Sequence, residues 1–133
     1  MLPELRRLFP RHLALQSLGS FDTEGAREDY RWLAGNDAAQ VHRYLDLGAP
    51  LKVCHGPVDV LAADAVRELR DFKPAEPILL AESGALEPRH SGPFLLYERD
   101  RAGMILHDVL FAPFFAGAAG SGQCWHWAGT WTG

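Results

Sequence analysis

The chain has 133 residues, enough for one domain with a packed core. Apolar residues make up 47% and charged residues 23%, near the globular average, which argues against a disordered chain. The formal charge is −4, with acids and bases interspersed, so no basic stripe exists to follow a phosphate backbone and nucleic acid is not an expected partner.

In chain order, Leu2, Leu5, Leu8 and Phe9 fall at helical spacing, with Pro10 as the stop. A short apolar strand is expected near 12–18, ending at Gly19-Ser20. Asp22 or Thr23 then caps a helix through Ala26, Tyr30 and Leu33, terminated by Gly35. A second strand is expected near 38–45. Asp59 would cap the next helix, whose stripe is Leu61, Ala65, Leu69 and Phe72. A third strand, near 77–82, leads into a polar loop that holds Arg89 and His90. The segment from Arg101 to Ala116 reads as a helix apolar enough to be largely buried, bent or ended by Pro113. A last strand is expected near 122–127.

This alternation of strand and helix implies an α/β fold with a parallel sheet, either a small open sheet or part of a (β/α)8 barrel, in one domain over 1–133. The glycine-rich run Gly117 to Gly122 follows a helix and precedes a strand, the wrong order for a phosphate loop, and reads as a tight connection. Cys54 and Cys124 form neither a disulfide framework nor a metal motif and read as small buried residues. No export signal is visible, and the run Val109 to Gly120 is shorter than the about 20 apolar residues a membrane span needs. A soluble chain is expected, without a membrane partner and with its compartment left open.

Chemistry in parallel α/β folds collects at the carboxyl ends of strands. Three expected strands end on functional side chains: His42 and Tyr44 on one face of the second, Glu82 on the third, and Trp125 and Trp127 on the last. Glu82 counts onto the same face as Ile78 and Leu80. Taken singly, a strand-end histidine is more often structural, a tryptophan more often core, and a carboxylate more often merely solvated. Together they offer a carboxylate, an imidazole, a phenol and flat aromatic surface, the groups that carbohydrate chemistry uses.

With these residues in place, the chain resembles the carboxy-terminal half of a (β/α)8-barrel glycoside hydrolase of the clan that includes the cellulase-like family 5 enzymes. The matching stretches are VHRYL at 41–45, ILLAESG at 78–84 and GQCWHW at 122–127, which look like barrel strands six, seven and eight. The resemblance implies a retaining double-displacement enzyme on poly- or oligosaccharides, with Glu82 as nucleophile. It further implies that Tyr44 donates a hydrogen bond to Glu82, that His42 bonds a substrate hydroxyl, and that Trp125, with Trp127 second, floors the sugar site. His90, with Arg89, would reach substrate from its loop, His55 is a weaker candidate, and Cys124 and His126 would face the packing helices. No metal or cofactor is implied.

The family's acid/base glutamate sits in an Asn-Glu pair, and this sequence contains none. The expected object is therefore a half barrel nearly inactive alone, which self-associates or recruits a missing amino-terminal half. The alternative is a non-catalytic carbohydrate-binding or scaffold half-barrel. A metal-dependent hydrolase is disfavoured, because the six histidines form neither His-x-His nor HExxH.

Overall fold

The computed structural model describes residues 1–87 and 95–125. Its elements are α1 (Leu2–Leu8), α2 (Glu24–Trp32), β1 (Ala39–Leu45), a 3-10 turn (Lys52–His55), α3 (Val58–Phe72), β2 (Ile78–Ala85), α4 (Leu96–Arg99), α5 (Met104–Phe115) and β3 (Gly120–Cys124). The protein is mixed α/β, with one three-stranded sheet in the order β1-β2-β3 and both pairings parallel. Parallel neighbours require crossovers, and α3 and α5 supply them. Helix α3 packs on β1 and β2, α5 packs on β2 and β3, and the two helices pack on each other. The helices thus share one face of the sheet.

The core lies under those helices. Val41 and Leu45 of β1 and Ile78, Leu80 and Ala85 of β2 meet Leu61, Val66 and Leu69 of α3 and Ile105 and Val109 of α5. Burying each large aliphatic side chain contributes about 1.5–3 kcal/mol, so this cluster holds the layers together. Helix α2 begins where Thr23 accepts a hydrogen bond from the Ala26 amide at 3.0 Å, the expected cap. Helix α3 starts differently from expectation. Pro57 is its N-cap and Asp59 lies in the first turn, where its charge complements the helix dipole without capping a specific amide.

The strand expected near 12–18 does not form. That segment is extended, but the side chains of the α2–β1 connection hold it where a ladder would. Asp37 Oδ2 accepts from the Ala14 amide at 2.7 Å, while Asn36 accepts from the Gln16 amide at 2.9 Å and donates to the Gln16 carbonyl at 3.1 Å. Sheet pairing begins only at an isolated bridge between Ser20 and His42. The last strand is shorter than expected, Gly120–Cys124, and residues 126 and 127 of the expected span lie outside the described residues.

The fourth expected helix, Arg101 to Ala116, is α5, and the short α4 that precedes it was not expected; between them Asp100 accepts hydrogen bonds from the Met104 and Ile105 amides at 2.8 and 2.7 Å. Pro113 falls in the last turn, near the end it was expected to make. Helix α5 is not largely buried, contrary to its composition. Ile105, Val109 and Pro113 face the core, whereas Met104, Leu106, Phe111, Phe114 and Phe115 are exposed. No described helix is long and apolar enough to cross a membrane.

Candidate functional site

Strand register decides where the functional side chains point. Along β1 the side chains alternate. Arg43 enters the helix side, where its guanidinium bonds Asp64 at 3.1 Å and Glu68 at 2.8 Å of α3, so His42 and Tyr44 must face away from the helices. Along β2, Val41 pairs with Leu80 but His42 pairs with Glu82, so Ala81 is an extra residue opposite no partner on β1. Such a bulge reverses the side-chain parity of everything after it. Leu80 therefore remains in the helix-side core, while Glu82 turns to the free face beside His42 and Tyr44. The expectation that Glu82 shares a face with Ile78 and Leu80 is corrected by this one residue.

Strand β3 approaches the bulge closely. A Cβ at Gly122 would lie 1.7 Å from the Ala81 carbonyl oxygen, so only glycine fits there. Beyond the bulge the ladder resumes, with Ser83 opposite Arg43 and its hydroxyl donating to the Arg43 carbonyl at 2.7 Å.

On the free face, the Tyr44 hydroxyl donates to Glu82 Oε2 at 2.5 Å. His42 Nδ1 stands 3.1 Å from the same oxygen, and Ser17 Oγ lies 3.5 Å from His42 Nε2. The side chains of His42 and Glu82 retain 20% and 21% of their exposure, enough for a small ligand to reach the carboxylate. Burial, opposed by the Glu82 charge, holds the His42 imidazole below its ordinary value, so it is neutral at pH 7. Burial and the carboxylate together push the Tyr44 phenol far above its ordinary range, so it stays a donor throughout the working range.

The Trp125 ring meets Tyr44 edge-on at 5.8 Å and is 37% exposed. Its amide donates to the Ser83 carbonyl at 2.6 Å, which fixes it at the end of the sheet. Tyr97 of α4 reinforces that placement. Its hydroxyl accepts from the Ala85 amide at 2.8 Å and donates to the Trp125 carbonyl at 3.0 Å, tying β2 to the tip of β3.

Glu82, His42, Tyr44 and Trp125, four of the residues singled out in the sequence, are thus brought together. Trp127, His90, Arg89 and His126 lie outside the described residues. Cys124 packs against the core as expected, whereas His55 bonds the Ala49 carbonyl through Nε2 at 2.9 Å, a local turn contact away from Glu82. Ser17 and Tyr97 belong to the site's surroundings and were not anticipated; an isolated serine or tyrosine between apolar residues carries no distinguishing pattern. Among the described residues no cluster of histidine, cysteine and carboxylate side chains could hold a metal ion.

The site is therefore a carboxylate with one firm hydrogen-bond donor, a neutral imidazole, and an aromatic wall. It can place a negative charge or a nucleophilic oxygen against a small polar ligand. Compared with protein-family models, curated proteins and solved structures, the chain gave no match.

Proposed function

We propose that the chain carries the nucleophile side of a retaining glycoside hydrolase site, built on part of a (β/α)8-type barrel and acting on poly- or oligosaccharide. The observation that carries this reading is the turn of Glu82 out of the helix-side core onto the free face, where Tyr44 holds it. Sequential strand order with both crossover helices on one face supports the barrel assignment, since a doubly wound sheet would place helices on both faces.

In this reading Glu82 Oε1 or Oε2 attacks the anomeric carbon, and the bond to the leaving oxygen breaks as a glycosyl ester forms. Tyr44 fixes the carboxylate's orientation, His42 meets a sugar hydroxyl, and the exposed part of Trp125 covers a C–H face of the ring. A retaining site also needs a second carboxyl group about 5 Å from the first to protonate the leaving oxygen. Among the described residues Tyr44 and His42 contact Glu82, and in this reading the partner carboxylate lies outside residues 1–133.

The reading dictates a leaving-group dependence. General-acid help is worth about 10² to 10⁴ in rate, and a dinitrophenolate departs without it. The chain should release dinitrophenolate from a matched dinitrophenyl β-glycoside in a burst of up to one equivalent, yet leave the corresponding methyl glycoside intact. No burst with any of a panel of dinitrophenyl glycosides, or a burst retained in Glu82→Gln, would contradict it.

A further inference from the structure

On the free face His42 and Glu82 also belong to a second arrangement, completed by Ser17, to which the sugar reading gives no role. Ser17 Oγ, His42 Nε2, His42 Nδ1 and Glu82 Oε2 stand in series, with separations of 3.5 Å at the first junction and 3.1 Å at the second. The three side chains come from separate parts of the chain: the extended segment beside β1, β1 itself, and the bulged end of β2. Two features make the order chemically meaningful. A carboxylate facing Nδ1 is attracted by an N–H and repelled by a lone pair, so it selects the Nδ1–H tautomer and leaves Nε2 as the acceptor. The Gly19 amide donates to Ser17 Oγ at 3.2 Å, which orients the hydroxyl oxygen, and the hydroxyl proton has His42 Nε2 and the Tyr30 phenol as its acceptors.

We infer that Ser17, His42 and Glu82 form an acyl-transfer array in which Ser17 is the nucleophile, His42 the base and Glu82 the group that orients the imidazole, acting on short-chain carboxylic esters. Nucleophilic constellations of this kind are recognised by geometry and roles rather than sequence order, and the long Ser–His junction is the looser geometry common before a substrate binds.

The step runs as follows. Ser17 Oγ bonds to the ester carbonyl carbon while His42 Nε2 takes the hydroxyl proton. The tetrahedral intermediate then collapses, and the leaving alkoxide takes that proton from His42 to depart as an alcohol. Water, deprotonated by the same nitrogen, attacks the acyl-serine; the acyl–oxygen bond then breaks, and Ser17 Oγ takes that proton back from His42 as the carboxylic acid leaves. Burial holds His42 neutral at pH 7, the form the base needs. Ser17 is exposed, so the developing oxyanion is met by solvent instead of a row of fixed donors. Lack of one such donor costs about 10² to 10³ in turnover, so covalent capture is the sharper assay.

The probe is a fluorophosphonate. Ser17 Oγ would bond to phosphorus, fluoride would leave, and the serine proton would pass to His42. One adduct per chain is expected, located on the peptide holding Ser17 and lost in Ser17→Ala. Labelling should slow at least about a hundredfold in His42→Gln and about tenfold in Glu82→Gln. Absence of a Ser17 adduct on the unmodified chain overturns the inference without reliance on any variant, as does an undiminished rate in His42→Gln. A sugar adduct on Glu82 without a Ser17 adduct would remove this inference and leave the glycosidase reading standing; the reverse result would do the opposite.

Discussion

Tyr44 and Glu82 stand 38 positions apart in sequence and meet at 2.5 Å, the phenol donating to Oε2. The contact exists because Ala81 is a bulge. With regular pairing, the side chain opposite His42 would be Ala81, and Glu82 would point into the apolar layer against α3. A single inserted residue thus moves a carboxylate from the layer under the helices to a reachable face.

Beside the bulge, the missing side chain of Gly122 makes room for the Ala81 carbonyl. Gly122→Ala should lose about 3 kcal/mol or more, because the contact is with backbone that cannot move aside without breaking the β2–β3 ladder. Gly120→Ala, whose Cβ would meet Leu79 Cδ2 at an ordinary 3.4 Å, should change stability by no more than about 0.5 kcal/mol. Urea unfolding of the two variants side by side measures the contrast. Equal stabilities would mean that β3 does not lie as closely on β2 as described.

Arg43 is fully buried, donates to the Phe21 carbonyl at 2.9 Å and stacks over the Phe21 ring at 4.5 Å while pairing with Glu68. Arg43→Ala removes a partner from a carboxylate that is itself mostly buried, so unfolding should become easier by about 3 kcal/mol. Arg43→Met keeps the stem's packing but leaves Glu68 with Arg27 as its cationic partner, and should recover only part of that loss. The denaturation midpoints of the two variants test the order.

Acid should weaken the fold through His42. Its folded value is depressed by burial more than the Glu82 charge raises it. Above 6.5, the ordinary value, folded and unfolded chains both hold it neutral, and its contribution is complete. As pH falls below 6.5 the unfolded chain takes the proton first, so stability declines until the folded value is passed. The groups facing it are Glu82 from β2, Tyr44 from its own strand and Ser17 from the extended segment. Urea midpoints at pH 7.5 and 5.5 should differ more for the native chain than for His42→Gln.

Association should follow from the uncovered apolar surface. Leu106, Phe111, Phe114 and Phe115 are exposed on α5, and Leu13, Leu15 and Leu18 are exposed on the extended segment beside β1. Sedimentation velocity should show species larger than a monomer, and Phe111→Ser with Phe115→Ser should shift them downward. A sharp monomer over the micromolar range would count against the half-barrel reading.

How far the sequence reveals this protein differs from element to element. Strand β2 was legible as a short apolar run, Ile78 to Ala81, between Pro77 and Gly84, and β1 as an apolar stretch around Val41 and Leu45 that ends at Gly48. The direction of Glu82 was not, because a count of two per residue pair assumes an unbroken ladder, and Ala81 interrupts it. Gly122, on the neighbouring strand β3, lies against Ala81 and is where the close approach shows in the sequence. The 12–18 segment reads as a strand by its leucines, yet Asn36 and Asp37 satisfy its backbone with side chains. Apolar content says how much of α5 could be buried, not how much surface the sheet has to cover it. His42, Tyr44, Glu82 and Trp125 were legible as a set because each falls near the carboxyl end of its strand. Ser17 carried no such signal, since nothing in its neighbours foretells which histidine the fold brings to it.

Under the proposed function, Glu82 is a nucleophile aimed at an anomeric carbon. The most direct measurement is the mass of the intact chain after exposure to a panel of dinitrophenyl 2-deoxy-2-fluoro-β-glycosides, followed by mapping of the modified peptide. Fluorine at the 2-position slows breakdown of the glycosyl ester, and dinitrophenolate leaves without an acid, so a missing partner carboxylate does not mask the result. The account predicts one glycosyl adduct on Glu82, absent in Glu82→Gln and formed about tenfold more slowly in Tyr44→Phe, where the carboxylate loses a charge-assisted hydrogen bond. An unmodified chain across the panel, or an adduct on any other residue, would contradict it.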